Sequence, residues 1–353
     1  MTRLPLILVR RFVGGVLTVV GVTTLAFGLF WATHTEPAQF VYPNAFVLTP
    51  YQVAHGNHVL GTDRSKVTQW LDYESHLLRF DLGSQWGGLQ LVNNQRATGR
   101  AAIAPQLYPS LRVTLSLLLG GAAVVLLLAL PLGTFAGSRI GSFGDRTLSI
   151  VALLAICTHP MVIGLLVRLL FADRLSWAPP GGYCTFIKHG SQCGGPVAWA
   201  SHLALPWLTF ALLFLALYLR MVRASVAETL HEDYVQTARA KGASEVRVLA
   251  RHVLPNASLR ILTMIGMEIG TAIGVCIYIE SSFGLPGLAS DAVFYMGGSS
   301  GLDLPMILAI VFLLSVIVVV GNTIVDMLYA VIDPRPRLRR DRAPARAGAG
   351  GVI

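Results

Sequence analysis

Several short clusters in this 353-residue sequence carry side chains that could do chemistry. Gly297-Gly298-Ser299-Ser300-Gly301 matches the nucleophile-elbow pattern, in which a serine on a strand-to-helix turn attacks a carbonyl with help from a positioned base. No strand pattern flanks it, so it reads as a flexible turn. His231-Glu232 begins like a zinc-protease helix, but the second His that motif requires is absent. Cys184, His189 and Cys193 bring metal-ligand chemistry to a glycine-rich stretch; a closed zinc site needs a fourth ligand, none is apparent, and no metal is expected. The same pair, Cys184 and Cys193, suits a disulfide if the stretch faces an oxidising compartment. Asn256-Ala257-Ser258 has the form of a glycosylation sequon. No G-x-x-x-x-G-K-[ST] occurs, so the chain has no phosphate-cradling loop of its own. No catalytic residue is expected, and no bound cofactor.

The elements that would have to position such groups are of one kind. The chain is 54% hydrophobic and only 13% charged, with a mean hydropathy of +0.63. A soluble domain carries about 25% charged residues, so much of this surface faces lipid. A helix needs roughly 20 apolar residues to cross the hydrocarbon core. Six stretches qualify: Val13–Trp31, Val113–Ser138, Thr147–Val167, Ala198–Leu219, Ile261–Ile279 and Leu304–Val325. None of them contains Lys, Arg or Asp; Ala198–Leu219 carries His202, and Ile261–Ile279 carries Glu268 as the one acidic side chain. Arg3, Arg10 and Arg11 precede the first stretch as they would a signal peptide, but its apolar run exceeds the roughly 7–15 residues of a signal core, and it reads as a retained span. The sequence therefore predicts an all-α integral membrane protein with six transmembrane helices.

Lys and Arg placement sets the orientation. With a cytoplasmic N-terminus, 18 of the 27 basic residues fall inside: before the first span, in 139–146, in 220–260 and in the tail from Arg335. The reading puts both termini in the cytoplasm. It also explains the net charge of +9, so no nucleic-acid partner is expected. Residues 1–32 then form an N-terminal tail and first span, 33–112 an extracytoplasmic region, 113–330 the core with five spans, and 331–353 a basic cytoplasmic tail. Trp70, Tyr73, Phe80 and Trp86 are available to pack a small external cap.

The most informative segment is the cytoplasmic loop 220–258. It reads Glu232-Asp233-Tyr234-Val235-Gln236-Thr237-Ala238-Arg239-Ala240-Lys241-Gly242. Acidic residues open it, basic residues close it and Gly follows, as in a short helix whose charges complement its dipole. Ser244 can cap a second helix running to about His252, with Pro255 ending it. A helix-Gly-helix element between two spans can act as a lever; a solvated loop with two amphipathic turns fits the residues equally well. In the fifth span, Gly266, Gly270 and Gly274 form a stripe that would let another helix approach closely. Glu268 points away from that stripe and is a candidate pathway residue, since a carboxylate facing lipid is costly.

This loop resembles the signature loop of binding-protein-dependent ABC importer permeases, in which a Gly is followed at fixed spacing by Leu-Pro, here Gly242 and Leu254-Pro255. Asp233-Tyr234-Val235 with Thr237-Ala238-Arg239-Ala240-Lys241-Gly242 looks like the dipeptide/oligopeptide branch. Neighbouring segments agree: Trp177-Ala178-Pro179-Pro180-Gly181-Gly182, His202-Leu203 with Leu205-Pro206, Glu280 with Phe283 and Pro286-Gly287-Leu288, Asp303-Leu304-Pro305, Asp326-Met327-Leu328-Tyr329, and Asp333-Pro334-Arg335. So do Leu60-Gly61 with Asp63-Arg64, and Phe80-Asp81-Leu82-Gly83. The long external region resembles the first of the two permease types. The stretch from Gln39 to Val59, the Cys184–Cys193 insert and the tail after Arg337 have no clear counterpart.

The resemblance implies a type I-like ABC importer permease in a bacterial cell membrane. It would work with a second permease subunit, two ATP-binding-cassette ATPases that hold ATP and Mg, and an extracytoplasmic substrate-binding protein. Glu232, Asp233, Tyr234, Thr237, Ala238, Arg239, Ala240, Lys241, Gly242, Leu254 and Pro255 would couple the chain to an ATPase. Di- or oligopeptides are the implied cargo; nickel or glutathione is the alternative within the family. A secondary transporter, the alternative outside it, would need broken and repeated spans with midplane ionisable groups.

Overall fold

The computed structural model describes residues 4–32, 36–42, 47–86, 90–92, 95–97, 101–188, 193–297 and 303–332. The chain is a bundle of long helices with a small cap at one end. Helix α1 (Leu4–Ala32) is followed by a short 3-10 turn and two cap helices, α2 (Pro50–Leu60) and α3 (Lys66–Leu77). Local chemistry fixes both. Thr49 and Gln52 exchange bonds in a capping box, Gly61 ends α2 at φ +75°, and the Ser65 hydroxyl accepts from the Thr68 amide to start α3. A two-stranded antiparallel ribbon, β1 (Gln90–Val92) and β2 (Gln95–Ala97), is a small exception to the all-α expectation.

The membrane part comprises α4 (Ala104–Ser138), α5 (Phe143–Cys157), α6 (Pro160–Val167) with a π turn to Arg174, α7 (Pro196–Thr229), α10 (Leu254–Phe283) and α12 (Leu304–Ile332). Between them lie the short helices α8 (Asp233–Ala240), α9 (Glu245–Val248) and α11 (Leu288–Gly297). Among the described residues, five helices are long and apolar enough to cross a membrane unbroken. The third crossing in chain order departs from the single span expected at Thr147–Val167: α5 and α6 meet at a 112° bend. Pro160 supplies no amide and forces the preceding residue out of the helical region; His159 sits at ψ +136° and Thr158 at ψ +139°.

The bent pair still traverses the bundle once. Asp145, at the start of α5, pairs with Arg223 near the C-terminal end of α7. Arg168, after α6, donates to the Ser282 carbonyl at the C-terminal end of α10, 2.9 Å away. α7 and α10 run antiparallel, because Glu228 at the end of α7 meets Arg260 near the start of α10 at 2.5 Å. The two anchors of the pair therefore lie at opposite ends.

The main core joins α4, α6, α7 and α10. α4 and α7 approach most closely. A methyl group on Gly121 would lie 2.7 Å from the Phe210 ring, on Gly133 2.6 Å from Val222 Cβ, and on Gly137 2.7 Å from the Arg223 carbonyl. Small residues at helix-helix contacts are how membrane helices gain packing without a hydrophobic drive. This close seam lies on α4, whereas the sequence pointed to the glycines of α10. There, among the described residues, only Gly266 faces a neighbour, with Val325 of α12 at 3.3 Å; none of them comes within 4 Å of a methyl at Gly270 or Gly274.

The aromatics between Trp70 and Trp86 do not build a core of their own. They grip the C-terminal half of α1 and the N-terminal part of α12. Trp70 donates its indole N–H to Thr24, Tyr73 packs on Phe27, Trp86 on Phe30, and Phe80 on Phe312. Glu74 of α3 is buried against α1, where the Thr23 hydroxyl donates to it at 2.6 Å; burial holds its carboxyl above the usual carboxylate range.

Candidate functional site

Residues 229–255 form one continuous element at the end of the bundle where α7 ends and α10 begins. Two tight turns close the path from Thr229 to Glu232, and α8 then starts with the exposed Glu232 and Asp233 at its positive end. Its inner face is a single anchor: Val235 is fully buried in the main core, with Ala238 and Ala243 packed beside it. Its outer face presents Asp233, Gln236, Thr237, Ala240 and Lys241. The Tyr234 hydroxyl reaches back to the His252 carbonyl at 3.4 Å, and Thr237 bonds the Asp233 carbonyl.

The end of α8 is a Schellman motif. The Gly242 amide donates to the Arg239 carbonyl at 2.9 Å and the Ala243 amide to the Ala238 carbonyl at 3.2 Å, with Gly242 at φ +82°. Arg239 also pairs with Glu245 at 2.9 Å, bridging α8 to α9 across the turn. The glycine is there because L side chains resist that angle.

Beyond the turn the structure corrects the expected boundaries. Ser244 stands at the start of α9 with extended backbone, but its hydroxyl makes no cap bond. The helix does not stop at Pro255. α9 runs through a π turn (Leu249–Val253) into α10, and Leu254 and Pro255 occupy its first turn, where proline's missing amide costs nothing. The motif is thus joined without a break to a membrane helix, and Val248 and Val253 bury its inner side beside Val235. Two ion pairs fasten the same end of the bundle. Arg223 forks onto the buried Asp145, which also accepts from the Gly141 amide at 2.9 Å, and Glu228 holds Arg260. Asp145 and Arg223 went unremarked in the sequence because the partners are 78 residues apart.

Glu268 lies elsewhere, about 21 Å along α10 from Leu254 at 1.5 Å per residue. It is half-buried. The exposed face of α10 runs through Met267, Gly270, Thr271, Gly274 and Tyr278. At its upper part the Tyr278 ring meets His159, at the bend of the third crossing, with centroids 4.7 Å apart. No local signal foretold that pairing, since His159 lies inside an apolar run.

The far end of the bundle gathers the other signature segments. The Gly182 amide donates to the Phe283 carbonyl at 3.1 Å, so 177–182 lies on the end of α10. Glu280 is fully buried; the Thr114 hydroxyl donates to it at 2.7 Å and the Ser290 amide at 2.8 Å, tying α4, α10 and α11 together. Cys184 and Cys193 are joined as a disulfide with Cα atoms 5.1 Å apart. His189, Gly298–Gly301 and Asp333-Pro334-Arg335 lie outside the described residues, as does most of the tail.

Comparison with known proteins bears on this arrangement. Residues 129–338 match the binding-protein-dependent transport system inner membrane component family. A Brucella ovis protein named as a peptide permease is 34% identical over 327 residues, 92% of this chain and 97% of its own length. A Sinorhizobium fredii protein named as a peptide ABC transporter permease is 30% identical over 94% of this chain and 98% of its own. The di/tripeptide transport system permease protein DppB of Pseudomonas aeruginosa is 29% identical over 92% of this chain and 96% of its own. With most of the membrane core inside the matched region and relatives aligned end to end, this chain is a multi-pass inner-membrane permease of the binding-protein-dependent transport family.

Proposed function

We propose that this chain forms half of the translocation pathway of a peptide importer and transmits the work of separate ATPases through Glu232–Gly242. The single observation that carries the coupling role is the build of α8. One face is locked into the core by Val235, the other presents polar side chains outward, and the C-terminal side continues rigidly into a membrane helix. A push on that outer face moves α10 rather than a loop. Packed interfaces switch between discrete arrangements, so such a displacement suits an alternation between inward- and outward-open states.

In this reading both termini and α8 face the cytoplasm. A second permease completes the pathway, two ATPases holding ATP and Mg dock below, and a substrate-binding protein delivers cargo above. The peptide cargo is supported by the names of relatives that align over nearly the whole chain. Glu268, with the exposed face of α10, lines the route, and Glu268→Gln should reduce uptake or shift selectivity at normal expression. Uptake of a labelled peptide library by cells with and without this chain tests the proposal. Peptide uptake should disappear with the chain and return with the complementing gene; undiminished uptake, or dependence only for a non-peptide cargo, would overturn it.

A further inference from the structure

We propose that Cys184, Cys193 and His202 form a metal site that, once the disulfide is reduced, takes one thiophilic divalent ion such as Zn2+. The three ligand atoms lie within 4.8 Å of one another. This goes against the expectation of no metal; among the described residues the imidazole is His202 in the first turns of α7, while His189 lies outside them.

The spacing fits the chemistry. Zinc bonds sulfur at about 2.3 Å and imidazole nitrogen at about 2.05 Å, so adjacent S and N ligands of a tetrahedral ion are about 3.6 Å apart. In the disulfide form Cys184 Sγ lies 3.4 Å from His202 Nδ1 and 3.6 Å from Nε2, against the edge of the ring, so once the disulfide opens the sulfur must swing toward Nε2 by side-chain rotation to share an ion with it. The ring is already held as a ligand would be: Nδ1 lies 2.9 Å from the Ala198 carbonyl, which assigns the proton to Nδ1 and leaves the Nε2 lone pair available. With their Cα atoms 5.1 Å apart, the two sulfurs can open to the roughly 3.8 Å edge of a tetrahedral site by side-chain rotation. Three protein ligands leave a fourth position for water, so the site would be open rather than closed.

Access is asymmetric. Cys184 is buried, Cys193 is exposed and His202 lies between. A dithiol of a thiol–disulfide oxidoreductase can attack Cys193 Sγ, and Cys184 then leaves as the thiolate beside His202. The donor's second thiol resolves the mixed disulfide. The donor ends oxidised to a disulfide and its two protons end on the cysteines. Ion binding releases those protons to solvent. The same loop is thus stapled by a disulfide in one state and by a metal to α7 in the other.

The test uses the full chain in lipid nanodiscs, carrying Cys157→Ser so that the other exposed thiol is absent. After reduction with a phosphine, Zn2+ should bind at one per chain, and Co2+ should give a thiolate-to-metal charge-transfer band. Unreduced protein should show neither. Cys193→Ser and His202→Asn should weaken binding at least tenfold while the chain remains monodisperse. A second measurement needs no ligand variant: Zn2+ should protect Cys193 of the reduced protein from a membrane-impermeant maleimide. No stoichiometric binding, equal affinity in His202→Asn, or maleimide labelling unaffected by Zn2+ would each overturn the proposal.

Discussion

Replacing Gly242 disturbs the proposed coupling element at one torsion angle. Its φ of +82° is the hinge of the Schellman turn, and no atom of the described residues lies within 4 Å of where a methyl group would stand. Within this chain the cost of Gly242→Ala is therefore conformational, about 1–2 kcal/mol for an L-residue in the left-handed region. That shifts the balance toward other turn geometries by a factor of about 5–30. The α8–α9 joint loosens, while insertion, held by the spans, stays intact. Asparagine tolerates the left-handed region better than alanine, and a β-branched residue tolerates it least. Peptide uptake should therefore fall in the order Gly242, Gly242→Asn, Gly242→Ala, Gly242→Val, with membrane expression unchanged. The assay is uptake of labelled peptide by cells, paired with substrate-stimulated ATP hydrolysis by the purified complex; hydrolysis should persist while uptake falls. Equal losses in all three variants would show that side-chain bulk against a partner matters rather than the backbone. Full uptake in all three would refute the role of the turn.

Val235→Ala empties part of the α8 anchor and should cost about 1–2 kcal/mol of local stability, read as faster hydrogen exchange across 233–241 than in the spans. Arg223→Ala leaves Asp145 buried without its partner; about 3–5 kcal/mol should be lost, and Asp145→Asn in the same chain should recover part of it in a thermal melt. Burial raises the Glu74 carboxyl, so the folded state binds that proton more tightly than the unfolded one. The contact of α3 with α1 should then weaken as pH rises through the raised value, and Glu74→Gln should flatten that dependence in melts run upward from the ordinary carboxylate value of about pH 4 to about pH 8. Single cysteines at Trp70 and Gly242 should label from outside and from inside respectively; labelling of position 242 from outside alone would contradict the orientation.

How much was legible follows from what each signal can see. Span existence came through because about 20 apolar residues in a row admit few other fates. The Gly242 turn came through because a short helix with ordered charges and a glycine stop is local information. The bend at His159-Pro160 did not. Proline inside an apolar run is ambiguous, as α4 keeps Pro109 and Pro131 and α7 keeps Pro206 within unbroken helices. Pro255 misled for the related reason that proline both ends helices and begins them. The glycine stripes of α4 and α10 look alike in sequence, and only the neighbouring helix decides which is a close seam. Tertiary pairs such as Asp145 with Arg223, Glu280 with Thr114, and Cys184 with His202 have no local signature at all.

The central claim is that the outer face of α8 seats against an ATPase. A photo-crosslinking residue at Ala240, exposed and clear of the Val235 anchor, tests this directly in native membranes. The account predicts capture of an ATP-binding-cassette subunit, with a yield that changes when ATP is trapped, and no such capture from the same probe at Trp70. Capture of that subunit from neither position, or from position 70 alone, would contradict it.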